Sequence, residues 1–364
     1  MGRSLDARAL ALGALVALGA TLASCGGKSS TAPPGAGTRT YRMGFAAGAP
    51  RFEFTLVLAA LEQWTGTRSD AAILSQEAPW DSLLAGVPAA DYVRRQHLPL
   101  IEYYRGKGLE VWVYLDPANG FNRGAESNTL VANGRSITEP AIQQLYRQYV
   151  VACDTILKPA VLGVALETNL IRLAAPAPLY AAIRQVANAA AADVRAVDAT
   201  VRLSSSVQVE TAWGMLGPAR PYEGVETDLT EFPYVQVLGL SSYPYFAWAS
   251  PEALPNDYYS RLLNGRTLPV AVVEGGWTSE TVSAFPSTAE TQRRYIARNA
   301  SLLDGVRSIA WFQLTYTDLE VTAGGIGVPP ATLAPFSRTG VVDTTLAAKP
   351  ARAEWDAVFA RVRR

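Results

Sequence analysis

The chain predicts an α/β fold, a single-domain (β/α)8 TIM barrel, and three observations carry that prediction. Eight short apolar runs alternate with helical patterns from residue 41 onward, no glycine-rich phosphate loop follows the first run, and two runs stop abruptly on a glutamate. Alternating buried strands and amphipathic helices are the pattern of βα units closing a parallel sheet. The strand candidates are 41–46, 71–75, 110–115, 161–166, 201–205, 235–240, 270–273 and 308–314. Helical stretches 54–64, 89–107, 139–157, 179–197, 258–264 and 290–303 lie among them. Ser287-Thr288-Ala289-Glu290 has the form of a capping box where the last of these begins. Eight strand–helix repeats over residues 41–364 fit one barrel with long loops. The rival is a doubly wound open sheet. It loses ground because Gly44-Phe45-Ala46-Ala47-Gly48 lacks the spacing of a dinucleotide loop.

Composition narrows the chemistry. The 364 residues are 49% hydrophobic, and 32 basic side chains balance 32 acidic ones. Such a balance does not suit a nucleic-acid binder, and no nucleic-acid partner is expected. His97 is the one histidine, and its surroundings, Arg-Arg-Gln-His-Leu-Pro-Leu, place it toward solvent. With one histidine and two cysteines, Ser-His-Asp triads and His- or Cys-rich metal sites are nearly excluded. No metal and no cofactor is expected. Catalysis would run on carboxylates, with tyrosine in support.

The N-terminus reads as an export signal. Arg3 and Arg8 precede an apolar stretch over 9–23 that is too short to span a membrane. Leu22-Ala23-Ser24-Cys25 resembles the bacterial lipobox, which implies removal of residues 1–24 and lipidation of Cys25. Residues 25–40, rich in Gly, Ser, Thr, Ala and Pro, read as a flexible tether ahead of the domain at 41–364. The lipid would be the only membrane contact. Gly26 stands where an aspartate commonly signals inner-membrane retention, so the expected location is the outer membrane of a bacterial envelope. Cys153, in Tyr-Val-Val-Ala-Cys-Asp, is left unpaired and is expected to be buried and inert. The protein is expected to act as a monomer.

Glu167 ends Val-Leu-Gly-Val-Ala-Leu-Glu-Thr-Asn, and Glu274 lies in Leu-Pro-Val-Ala-Val-Val-Glu-Gly-Gly-Trp. A buried strand that stops on a carboxylate is costly unless the charge is used or paired. In a parallel barrel the C-terminal strand ends converge on the active site. Two such carboxylates suggest an acid/base pair, and glycoside hydrolysis is the reaction that most often needs one. Other strand ends carry Gln76 and Glu77, Asp116, Gln208, Tyr243 and Tyr245, and Trp311. Together they have the composition of a sugar cleft, in which rings stack on aromatics and polar groups read hydroxyls. Trp80, Trp213, Trp248 and Trp277 lie in loops as candidate platforms. Glu77 and Asp116 are candidates for binding sugar hydroxyls, or for tying loops to arginines such as Arg51 or Arg123. Glu210 is the reserve acid.

These segments resemble glycoside hydrolase clan A. Val-Val-Glu274-Gly-Gly-Trp277 is similar to the clan's strand-seven nucleophile segment. Gly-Leu-Ser-Ser-Tyr243-Pro-Tyr245 is similar to strand six of arabinogalactan endo-β-1,4-galactanases. Trp311 matches the strand-eight tryptophan that floors the subsite on the non-reducing side, and Thr339-Gly-Val-Val-Asp343 with Lys349-Pro-Ala351 resembles the clan's closing loop and helix. The resemblance implies a retaining hydrolase of a β-linked poly- or oligosaccharide, galactan-like by the strand-six match, and the loop aromatics suggest an open cleft and endo action. Glu167 would be the acid/base, Glu274 the nucleophile and Tyr243 its hydrogen-bond donor. Retention requires the two carboxyl groups to lie about 5–5.5 Å apart. One position departs. Leu166 stands where the clan has asparagine, and Asn169 is the substitute if strand alternation turns it to the side of Glu167. Leu166 also supports an alternative, a glycan-binding lipoprotein that keeps the cleft without cutting.

Overall fold

A computed structural model describes residues 37–51, 53–217, 220–320 and 330–364. The signal sequence, Cys25 and most of the tether lie outside them. The eight runs form a closed parallel barrel in which each strand pairs with the next and the last with the first. The strands are β1 Arg42–Ala46, β2 Ala71–Glu77, β3 Glu110–Asp116 and β4 Val161–Gly163. They continue with β5 Arg202–Gln208, β6 Val237–Ser242, β7 Val270–Gly275 and β8 Ser308–Gln313. Several run further toward the C-terminal rim than their apolar stretches do, because backbone pairing continues through Gln76–Glu77, Ser206–Gln208 and Ser241–Ser242. The fourth is shorter than its apolar run and ends at Gly163, although the Val164 amide still donates to the Ser204 carbonyl and the Ser206 amide to that of Ala165.

Among the described residues seven longer helices surround the barrel: α1 Phe54–Trp64, α2 Ala89–Gln96, α3 Leu98–Gly106, α4 Pro140–Leu157, α5 Ala177–Val197, α6 Ala289–Asp304 and α7 Pro350–Phe359. The stretch predicted as one helix over 89–107 is broken at His97, because Pro99 has no amide proton to extend α2. His97 does not face solvent. It is buried between Val93 and Ile101, each four residues away, and its Nε2 meets the Tyr149 hydroxyl at 2.8 Å. Burial lowers its pKa to about 4. The polar neighbours that suggested exposure, Arg94 and Arg95, occupy the opposite face. The cap of α6 also sits one residue later than expected: Thr288 Oγ1 accepts from the Thr291 amide at 3.1 Å, while Ser287 Oγ donates to the Thr278 carbonyl. The helix predicted at 258–264 shortens to Ser260–Leu263. Cys153 is buried and unpaired on α4. No helix among the described residues is long and apolar enough to cross a membrane.

The barrel interior is filled by Ala71, Ile73, Trp112, Tyr114, Val161, Val237, Ala271, Ala310 and Phe312. Tyr114 lies over Gly163, where a Cβ would fall 2.2 Å from its ring, and its hydroxyl reaches Ser204 Oγ at 2.5 Å. Gly163 is therefore a packing requirement, and any side chain there would displace the tyrosine. Because the interior is packed rather than hollow, chemistry has to occur above it, at the rim where the strands end.

Candidate active site

Register brings Glu77 of β2 opposite Asp116 of β3 at that rim. Both of Asp116's oxygens are engaged: Oδ1 accepts from the Ala118 amide at 3.0 Å, and Oδ2 takes Arg123 Nη1. Burial pushes the Asp116 carboxyl above its ordinary range, against the pull of Arg123. Glu77 Oε1 accepts from Ser127 Oγ at 2.6 Å.

At the next strand end the chain turns sharply. Glu167 has φ 49° and ψ 46°, the left-handed region, and is the N-cap of a short helix, Thr168–Ala174. That conformation costs a non-glycine residue on the order of 1–2 kcal/mol, and the contacts around it must hold it there. The Glu167 amide donates to Ser206 Oγ at 2.9 Å, Oε2 accepts from Arg123 Nε at 2.7 Å, and Oε1 accepts from Ser241 Oγ at 2.6 Å. Accepting at both oxygens, one from a guanidinium, is the arrangement of an ionised carboxylate. Arg123 thus bridges Asp116 and Glu167. Burial alone would weaken its charge, but the two adjacent carboxylates outweigh that and raise its pKa.

Glu274 reaches the rim by a different device. In the β6–β7 ladder Leu240 pairs with Val272 but Ser241 pairs with Glu274, so Val273 is an extra residue. Such a bulge re-aims the side chains that follow it. Val273 and Glu274, adjacent in sequence, both line the same cavity. Tyr243 donates its hydroxyl to Glu274 Oε1 at 2.6 Å. Burial, and after it the charge of Glu167, raises the Glu274 pKa to about 7; the Tyr243 hydrogen bond and Arg123 pull the other way.

The cavity has a volume of about 400 Å³. Its polar wall is Ser75, Gln76, Glu77, Asp116, Arg123 and Glu274, and the rest is largely aliphatic, from Ala46 and Ala49 through Val57, Leu61, Leu100, Leu166, Val273 and Leu314. Phe121 is the aromatic residue on its wall. Glu167, with 13% of its side chain exposed, is not on this wall, whereas Arg123, with which it pairs, is. Among the described residues no cluster of His, Cys, Asp and Glu is disposed to hold a metal ion.

The structure therefore brings together Glu77, Asp116, Glu167, Tyr243 and Glu274, and turns the other candidates away. Asn169 lies on a helix, so strand alternation does not apply; its Nδ2 donates to the Gln208 carbonyl and its Oδ1 accepts the Gln208 amide, both at 2.8 Å. Trp311 points outward from β8 into the helix layer, against Tyr41 and Trp355, while Ala310 and Phe312 face the barrel interior. Trp277 is buried against Tyr295, with Nε1 donating to Ser287 Oγ. Trp80 is buried beside Tyr146, and Tyr245 donates to the Pro335 carbonyl. Trp213 and Trp248 pack with Tyr258. Glu210 is fully buried, held by Gln208 and Tyr258, and its burial raises its pKa to about 7. It does not line the cavity. The link from Arg123 to Glu167, the serine at 241 and the aliphatic wall went unread in the sequence. Of these, only the arginine carried a signal, as a charged residue in the loop after a strand ending in aspartate.

No family model matches the chain, and no curated protein matches it. Solved structures do. An exo-β-1,4-mannosidase from Opitutaceae bacterium strain TAV5 superposes with a TM-score of 0.61 at 15% identity, over 89% of this chain and 59% of its own. Bacteroides uniformis β-glucuronidase 2 gives 0.57 at 12%, over 88% of this chain and 35% of its own. The β-glucosidase from Thermotoga maritima gives 0.55 at 11%, over 84% and 87%. The chain thus spans little more than half, or less, of the first two. At these identities the likeness establishes the (β/α)8 fold.

Proposed function

We propose that the protein is a retaining β-glycoside hydrolase, with Glu274 as nucleophile and Glu167 as acid/base. The observation that carries this reading is the pair itself: two glutamates from β7 and the end of β4, coupled electrostatically, one facing a cavity with a tyrosine on its carboxylate. Glu274 would attack the anomeric carbon, and Glu167 would protonate the departing oxygen and later deprotonate water. Before giving a proton Glu167 must exchange Arg123 for one at Oε2. The folds it resembles include a mannosidase, a glucuronidase and a glucosidase by their names, and that company agrees with the reading.

The strand-six resemblance puts β-galactosides first in an assay panel, followed by β-glucosides and β-mannosides. Endo action was expected from loop tryptophans; Trp80 and Trp277 are buried, and none of the four loop tryptophans lines the cavity, which weakens the support for that expectation. The test is release of sugar from the panel by the wild-type protein, with Glu274→Gln as control. Activity that survives in the variant ends the assignment. The Arg123–Glu167 ion pair favours the second reading, a binding protein that does not cut; it would show saturable glycan binding and no release. We further propose export and lipid anchoring at Cys25, supported by Leu22-Ala23-Ser24-Cys25. Cys25→Ser would then move the protein from the membrane to the soluble fraction of cells.

A further inference from the structure

We infer that the group cleaved from the sugar is apolar, so that the substrate is a glycoside with a hydrophobic aglycone rather than a polysaccharide. This rests on the hydrolase reading and names the substrate class of the same site. A polysaccharide cleft needs aromatic platforms for successive rings and unpaired polar groups for their hydroxyls. Of the tryptophans expected to serve, Trp80, Trp277 and Trp311 are each at most 1% exposed, and the half-buried Trp213 and Trp248 pack with Tyr258 rather than on the cavity wall, where Phe121 is the one aromatic among the described residues. Of the polar groups beside the carboxylate pair, Asp116 and Glu167 are engaged with Arg123, which leaves Ser75 and Gln76 on the wall, enough for the hydroxyls of a single ring. From Glu274 the cavity wall continues instead through Leu166 and Leu314 to Val57 and Leu61 of α1 and Leu100 of α3. Leu61 and Leu100 are almost fully buried yet line it, so this end is a recess between the barrel rim and the helix layer. A space of about 400 Å³ lies near the small end of ligand pockets, room for one sugar ring and a group of similar size. Aliphatic walls reward methylenes and penalise hydroxyls, which would lie there without partners.

Titration of the Glu274→Gln protein with methyl, butyl, hexyl and octyl β-galactosides, β-glucosides and β-mannosides, and with the matching β-1,4-linked tetrasaccharides, tests this directly. For the preferred sugar the dissociation constant should fall about two- to fourfold per methylene until the recess is full. The tetrasaccharide should bind no more tightly than the methyl glycoside. A flat alkyl series, or a tetrasaccharide that binds more tightly than every alkyl glycoside, would overturn the inference. Val57→Asn, at a half-buried helix position where asparagine is tolerated, should cut the octyl-to-methyl affinity ratio at least fourfold; an unchanged ratio counts against the recess. The two readings fail separately. Affinity that grows with chain length in the variant, with no glycoside cut by the wild type, would leave the recess standing and remove the hydrolase. Tetrasaccharide cleavage with a flat alkyl series would do the reverse.

Discussion

At the end of β7 a bulge turns Glu274 into the cavity, with Tyr243 as its hydrogen-bond donor among the described residues. After β4 a left-handed turn pairs Glu167 with Arg123 off the cavity wall, with donors on both of its oxygens. The same residue type at the same rim is thus given two environments. One carboxyl is desolvated and repelled by its neighbour, and its pKa rises to about 7. The other is compensated by a guanidinium and a serine. The charge of Glu167 therefore opposes ionisation of Glu274. Under the proposed mechanism Glu274 must be anionic while Glu167 carries a proton, so Arg123 has to leave Glu167 Oε2 before the step.

The largest expected effect comes from removing the cavity-facing member. Glu274→Gln should lower kcat by at least about 10³-fold on aryl glycosides. It should also change stability with a definite sign. The Glu274 pKa is raised from 4.5 to about 7 on folding, so the unfolded chain ionises first and native stability falls as pH rises between those values. The amide removes that penalty. The variant should gain on the order of 3 kcal/mol relative to wild type at pH 8, and lose the advantage below about pH 4.5. Urea unfolding at the two pH values measures it, and equal stabilities at pH 8 would erase the contrast between the two strand ends.

Glu167→Gln sharpens the contrast from the other side. If Glu167 protonates the leaving oxygen, its loss should cost about 10²–10⁴-fold on alkyl glycosides and much less on dinitrophenyl glycosides, which need no proton. Equal losses on both would make Glu167 a structural partner of Arg123. Tyr243→Phe should be milder. A hydrogen bond to a charged acceptor is worth about 1.5–3 kcal/mol, or roughly 10–100-fold in kcat/KM. Because Tyr243 favours ionised Glu274, its removal should move the acid limb of the kcat/KM profile upward from about pH 7. A limb that stays in place would mean that this hydrogen bond does not set the nucleophile.

The barrel was legible because fully buried parallel strands are apolar along their whole length and turn residues bound them. The same property hides which way each side chain points. In Ser-Ile-Ala-Trp-Phe-Gln of β8 both faces are apolar, so no alternation tells Trp311 from Phe312. The two glutamates were legible as charges at the ends of apolar runs. Their presentation was not: the bulge at Val273 depends on pairing with β6, and the left-handed turn at Glu167 on a hydrogen bond to Ser206 and hydrogen bonds from Arg123 and Ser241. Asn169 was misread for the same reason, since the strand assumed to reach it stops six residues earlier at Gly163. The aliphatic recess draws on α1 and α3, helices whose apolar residues read in sequence only as core.

Trp311 offers the smallest and most discriminating effect on catalysis. It is fully buried, with ring centroids 6.2 Å from Tyr41 and 4.8 Å from Trp355. Trp311→Phe keeps an aromatic contact but leaves part of the indole volume empty, which should cost about 1–3 kcal/mol in urea unfolding. Since the ring lies on the helix side of β8, kcat and KM should stay within about twofold of wild type at temperatures where the variant is folded. A platform tryptophan would behave in the opposite way, with stability nearly unchanged and KM raised at least tenfold through lost stacking of about 1.4 kcal/mol or more. Measuring both quantities on one variant therefore decides which face of the strand the residue serves.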